Sequence, residues 1–168
     1  MKTFNFCLDV MSRFKQNHFL LIVLFLISCS PDKNYLPEDF FGLHLTKRLT
    51  GNEAEEFINN LHFQKVSDLE NEIGFYEGKV GRTIIYITHY NTVETTKSNY
   101  KKMVNKISPE NSVFIKPEYL KLGGMEIYRC FGMGQSHYVF PYKKKLFWIS
   151  VDTHFGKKFV EKYLNYIK

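Results

Sequence analysis

The stretch that comes nearest to carrying chemistry is CFGMGQSHYVF, residues 130–140, where a thiol and an imidazole flank a glycine-rich turn. A four-residue loop at Gly132 to Gln135 pairs Phe131 with Ser136 and Cys130 with His137. Both side chains then share one face of a hairpin at cross-strand distance. A cysteine beside a histidine is the arrangement that generates a thiolate nucleophile. A three-residue loop would instead set Cys130 against Tyr138, and no acid or amide is evidently placed to orient His137. The simpler expectation is therefore a packed structural cysteine, with catalysis by Cys130 and His137 as the alternative. Gly132-Met133-Gly134 does not read as a phosphate loop, because it leads from one strand into another strand rather than into a helix.

Other reactive side chains are scattered. His44, His62, His89, His137 and His154 form no HxH, HxxxH or HExxH spacing, so neither a metal site nor a cofactor is expected. Glu53, Glu55 and Glu56 fall near the start of a helix, where acidic side chains complement the dipole without any catalytic role. Lys143-Lys144-Lys145 reads as a solvated hairpin tip, with contact to lipid phosphates as its functional alternative.

The elements that must position these residues alternate in type. HLTKRL (44–49) reads as a strand, and Thr50-Gly51-Asn52 offers cap chemistry ahead of Ala54, Phe57, Ile58 and Leu61, one apolar helical stripe. EIGFYEG and RTIIYITHY form a hairpin about the Gly78–Gly81 turn. A second helix follows over 93–107, with Tyr100, Met103, Val104 and Ile107 on its stripe. SVFI is a candidate strand, and MEIYRCF, SHYVF and LFWISVD are three more. A closing helix over about 155–166 carries Phe159, Val160, Tyr163, Leu164 and Ile167 on its stripe. Short strands with tight turns imply antiparallel pairing, and one-sided helices imply a second layer. The expectation is an α+β two-layer sandwich with about three helices on one face, in a ferredoxin-like arrangement extended by a C-terminal meander and helix. If one sheet face is open, alternation places Tyr86, Tyr128 and Trp148 on it as an aromatic platform for a ligand.

The chain's beginning has a different character. Residues 19–27 are an unbroken apolar run preceded by Arg13 and Lys15 and followed by Ser28, far shorter than the roughly 20 residues of a membrane span. That order is the order of a secretory signal peptide, and Leu26-Ile27-Ser28-Cys29 resembles the lipobox of bacterial lipoproteins. A start at Met11 gives a signal of more usual length than a start at Met1. The resemblance implies that residues 1–28 are removed, that Cys29 carries a diacylglycerol thioether, and that its new amino terminus is acylated. Ser30, rather than Asp, after the cysteine resembles the class destined for the outer membrane. Cys29 and the following SPDKNYLP (30–37) then serve as a lipidated tether over 29–37, and 38–168 as a single domain.

The whole chain carries a net charge of +6. Without residues 1–28 it keeps 20 basic and 16 acidic side chains, or +4. That balance suits an anionic membrane surface, and with export it makes nucleic acid an unsuitable partner. Cys7 leaves with the signal and Cys29 is acylated, so Cys130 is alone and no disulfide framework is available. Two function classes follow. The preferred one is a non-catalytic binding or assembly module of the cell envelope, held to the bilayer by Cys29, with an envelope protein or an amphipathic ligand as partner. The other is a small envelope enzyme using Cys130 and His137.

Overall fold

The structure is a computed structural model that describes residues 33–62 and 69–168. The expected signal segment, Cys29 and the start of the tether lie outside the described residues, as do the side chains of Leu61 and His62 in the first helix. The elements run β1 Asp39–Phe40, β2 Leu43–Thr50, α1 Gly51–His62, β3 Asn71–Gly78, β4 Gly81–His89, α2 Val93–Lys106, β5 Ile115–Leu122, β6 Met125–Gly132, β7 Gln135–Tyr142, β8 Lys145–Asp152 and α3 Gly156–Ile167.

All eight strands join one antiparallel sheet in the order β1-β2-β3-β4-β8-β7-β6-β5. Two meanders meet at the β4–β8 pair, which aligns Ile85 with Ile149 and Tyr86 with Trp148. The α+β class and antiparallel pairing are as the sequence predicts, but the sheet is larger than a ferredoxin-like sheet. Here α1 joins β2 to β3 as antiparallel neighbours, with no parallel crossover between them.

The helices also do not share one face. Helix α3 packs Phe159, Val160, Tyr163, Leu164 and Ile167 against Ile85, Ile87, Phe147, Ile149 and Val151. Along β4 and β8 the alternate residues point the other way. Ile84 and Tyr86 meet Ala54, Phe57 and Ile58 of α1, while Leu146 and Trp148 meet Tyr100, Met103 and Val104 of α2. The result is three layers, with α3 on one face and α1 and α2 on the other. The reason lies in β7 and β8, where HYVF and LFWISV are nearly unbroken apolar runs. Every residue from Ser136 to Phe140 is buried, as are Leu146, Phe147, Ile149, Ser150 and Val151. Strands of this kind need cover on both sides.

At α2, the Thr92 hydroxyl accepts from the Thr95 amide at 3.1 Å while the Thr95 hydroxyl accepts from the Thr92 amide at 3.3 Å, a reciprocal cap. Strand β5 differs from expectation: SVFI supplies only its first residue, and IKPEYLKL is the strand. Pro117 is tolerated because β5 is an edge strand, and Lys116 at φ 53° marks the register shift between Ile115 and Glu118.

The compact unit spans Tyr35–Lys168. Tyr35 and Leu36 are core residues, and the Tyr163 hydroxyl donates to the Tyr35 carbonyl at 2.6 Å. Among the described residues, those of the three hydrophobic clusters lie between Tyr35 and Ile167.

Candidate functional site

The β6–β7 hairpin brings together the pair that the spacing singles out. Met133 and Gly134 occupy its tip at φ 50° and 79°, the two positive values of a tight primed turn, and Gly132 pairs with Gln135. From that turn the register runs outward to Phe131–Ser136 and then Cys130–His137. The expected juxtaposition is therefore present, on the face covered by α2.

The surroundings of the two groups decide what they can do. The His137 Nε2–H donates to the Gly132 carbonyl at 2.9 Å, which leaves Nδ1 as an acceptor. Nδ1 accepts from the Ser150 hydroxyl at 2.9 Å and from the Trp148 indole N–H at 3.1 Å. Both ring nitrogens are thus committed to groups other than the thiol. The ring also stands edge-on to Phe114, 4.8 Å between centroids, and Phe114 lies so close over Gly132 that a Cβ there would meet its ring at 2.5 Å. Burial lowers the His137 pKa and so favours the neutral ring.

Cys130 is fully buried, and desolvation pushes its thiol up to about 11. At neutral pH a protonated thiol faces a neutral imidazole with no hydrogen bond between them. Nucleophilic chemistry needs the reverse, an accessible thiolate paired with a base. His137, Ser150 and Trp148 form a hydrogen-bonded seam between β7 and β8 beside the Phe114 ring, one that fixes ring orientation in a packed layer.

The three aromatic residues of the expected platform also fall into one row. Tyr86 pairs with Trp148, Trp148 with Val139, and Val139 with Tyr128. The row is covered, not open. Tyr128 is 3% exposed beneath α2, Trp148 packs in the same cluster, and Tyr86 packs beside α1. An open aromatic platform is therefore corrected to a buried inter-layer contact, because α1 and α2 occupy the face that one-sided packing would have left free.

One groove does open along this layer. It lies between the second half of α2 and strands β5 and β6, has a volume of about 380 Å³, and is lined by Tyr100, Val104, Pro109, Pro117, Tyr119 and Tyr128, with Lys101 and Glu110 also contributing. Tyr119 is 58% exposed and meets Tyr128 edge to face at 5.4 Å. The Tyr100 and Tyr128 hydroxyls are buried without a hydrogen-bond partner. The Tyr128 backbone approaches the Tyr100 oxygen, but no hydrogen bond of normal geometry results. Sequence reasoning missed this groove because two of its walls, β5 and the segment after α2, carry no periodic signal.

Elsewhere the titratable groups are dispersed. Among the described residues no group of three or more His, Cys, Asp or Glu side chains could hold a metal ion, and no helix is long and apolar enough to cross a membrane. His89 and Glu72 make a half-buried pair at 2.8 Å, and the hydrogen bond to His89 lowers the Glu72 pKa. His44 and Asp39 pair at the surface. Lys143 stands at the β7–β8 turn with φ 53°. Lys145, the first residue of β8, lies with its ammonium 5.0 Å from the centroid of the Tyr35 ring.

No protein family matches the chain, and neither does any curated protein. A solved structure of a GTP-binding regulator from Thermotoga maritima is similar over 77% of this chain and 77% of its own, at 16% identity and a TM-score of 0.46. A likeness that distant carries no argument about the ligand of this chain.

Proposed function

We propose that the chain is a lipid-anchored, non-catalytic module of the bacterial envelope, held through acylated Cys29 and destined for the outer membrane, that binds an envelope protein or an amphipathic ligand. The observation that carries this reading joins sequence to fold. Only residues 30–34 separate Cys29 from Tyr35, which is already part of the hydrophobic core. At about 3.3 to 3.6 Å per residue the six steps from Cys29 to Tyr35 reach roughly 20 Å at most. A chain acylated at Cys29 keeps this domain against the bilayer, where two or three acyl chains hold it stably at about 0.8 kcal/mol per buried CH₂.

The state of Cys130 and His137 supports a binding role. Both are buried, both His137 nitrogens are engaged elsewhere, and the thiol is protonated at neutral pH. The tyrosine-lined groove beside α2 is the concave feature at which a ligand would find aromatic surface and unmet hydroxyl groups.

The direct test is the intact mass of the protein purified from its native membrane beside that of Cys29→Ala. The expected wild-type mass is that of a chain beginning at Cys29 with its acyl groups, and fractionation places it with the outer membrane. An unmodified wild-type chain sinks the reading.

A further inference from the structure

Several features of the domain converge at one end of the sheet. Tyr142 and Lys145 close the β7–β8 turn there, and Leu122 and Met125 close the β5–β6 turn. Helix α3 ends there too, with Lys168 donating to the Gly123 carbonyl. The chain enters the domain at the same end, since Tyr35 packs on Phe147 and lies under the Lys145 ammonium. The groove beside α2 lies toward the opposite end, where α2 finishes and β5 begins.

This end is basic and aromatic. Lys143, Lys144 and Lys168 are exposed, and none of them pairs with a carboxylate among the described residues. Tyr142 and Tyr166 are half-buried beside them, and the Lys143 ammonium lies 5.3 Å from the Tyr142 ring centroid. Three nearby acidic groups have a partner or a facing lysine in the fold, while Glu70, whose carbonyl accepts from the amide of the His89 that faces Lys145, is exposed. Glu72 bonds His89, Glu126 sits opposite Lys121 in the β5–β6 register, and Glu38 pairs with Arg48. Tyrosine rings with polar tips and lysines on long apolar stems are the side chains that settle at a headgroup layer.

We infer that the end of the domain formed by Tyr142, Lys143, Lys144, Lys145, Tyr166 and Lys168 is a docking surface for an anionic lipid bilayer. The inference deepens the anchored reading and rests on it for its setting. A tether of five residues holds this end within reach of the headgroups. At the high local concentration that a short tether creates, contacts too weak to hold a free protein are occupied. Docking through this end turns the groove beside α2 away from the bilayer, where a partner can reach it.

The test uses the unlipidated chain from Ser30 onward, which keeps every described core residue, and so it does not depend on acylation. Co-sedimentation is measured with vesicles of pure phosphatidylcholine and with vesicles containing three parts in ten phosphatidylglycerol. Binding is expected only to the anionic vesicles and is expected to weaken steeply as salt rises. Each lysine removed weakens it about fivefold, so Lys143→Ala with Lys144→Ala costs roughly twenty-five-fold. Lys157→Ala with Lys158→Ala, exposed at the other end of α3, leaves it unchanged. Equal binding to both vesicle types, no binding to anionic vesicles at low salt, or equal losses in the two double variants overturns the inference. Intact mass judges the anchor separately, so an acylated protein that fails the vesicle test loses the docking surface and keeps the anchor.

Discussion

Cys130 and His137 stand directly opposite each other across the β6–β7 hairpin, yet no hydrogen bond joins them. Proximity alone does not make a nucleophile. The imidazole is held by Gly132, Ser150 and Trp148, and the thiol has lost its water. Moving the thiol from its ordinary 9.0 to about 11 leaves roughly 100-fold less thiolate at neutral pH. Alkylation of Cys130 by iodoacetamide at pH 7.5 is therefore expected to be at least about 100-fold slower than that of an unstructured thiol. His137→Ala is expected not to slow it further. A free-thiol rate that falls when His137 is removed would restore the catalytic reading.

The hairpin register was legible because a tight turn leaves little freedom. Once Gly132 and Gln135 close it, Cys130 must meet His137. The apolar stripes of α2 and α3 were equally clear, with Tyr100, Met103, Val104 and Ile107 packing on one side and Phe159, Val160, Tyr163, Leu164 and Ile167 buried on the other. What alternation could not settle was how many faces are covered. Reading LFWISVD as one inward set and one outward set treats Trp148 and Ser150 as solvent-facing. The length of the apolar runs in β7 and β8 was the better signal of burial on both faces. Strand β5 escaped notice because Lys116, Pro117 and a bulge interrupt it, features that protect a sheet edge and also erase its period.

His137 gives the fold a dependence on pH. Burial lowers its folded pKa below the ordinary 6.5, so the unfolded chain takes up a proton first as pH falls. Stability contributed by the neutral ring is fully present above about 6.5 and is lost as pH falls from there through the lowered folded value. Urea unfolding between pH 7 and about 5, above the range where most carboxylates titrate, is expected to show stability declining with acid. In His137→Gln that slope flattens, although the variant starts from lower stability because Ser150 and Trp148 lose their acceptor. An identical slope in both proteins would assign the acid sensitivity to another group.

Gly132 is constrained by contact and not by backbone angle. It is absent from the positive-φ residues, yet a Cβ built on it would lie 2.5 Å from the Phe114 ring. Gly132→Ala must displace Phe114, which also stands over His137 and Trp148. A cost of about 1 to 3 kcal/mol is expected, the usual range for overpacking. Phe114→Leu in the same background is expected to recover part of the loss by making room, which a general effect of alanine in the strand would not allow. Denaturant midpoints of the two single variants and the double variant measure the coupling.

Tyr128 tests whether the groove beside α2 is a site or a packing fault. Its hydroxyl is buried at the groove without a hydrogen-bond partner, and an unmet buried polar group costs about 1 to 3 kcal/mol. Tyr128→Phe removes the hydroxyl and leaves the ring against Tyr119 and α2. Its urea midpoint is expected to rise, by an amount near 1 kcal/mol once the cost is relieved. A fall of that size would mean that the hydroxyl has a partner, and the groove would lose its unmet donor. A rise would show that tyrosine is the less stable choice at this position, and stability given up at a concave aromatic surface is characteristic of a place kept for a ligand. Tyr128 then lies in the groove where affinity for a partner should be sought.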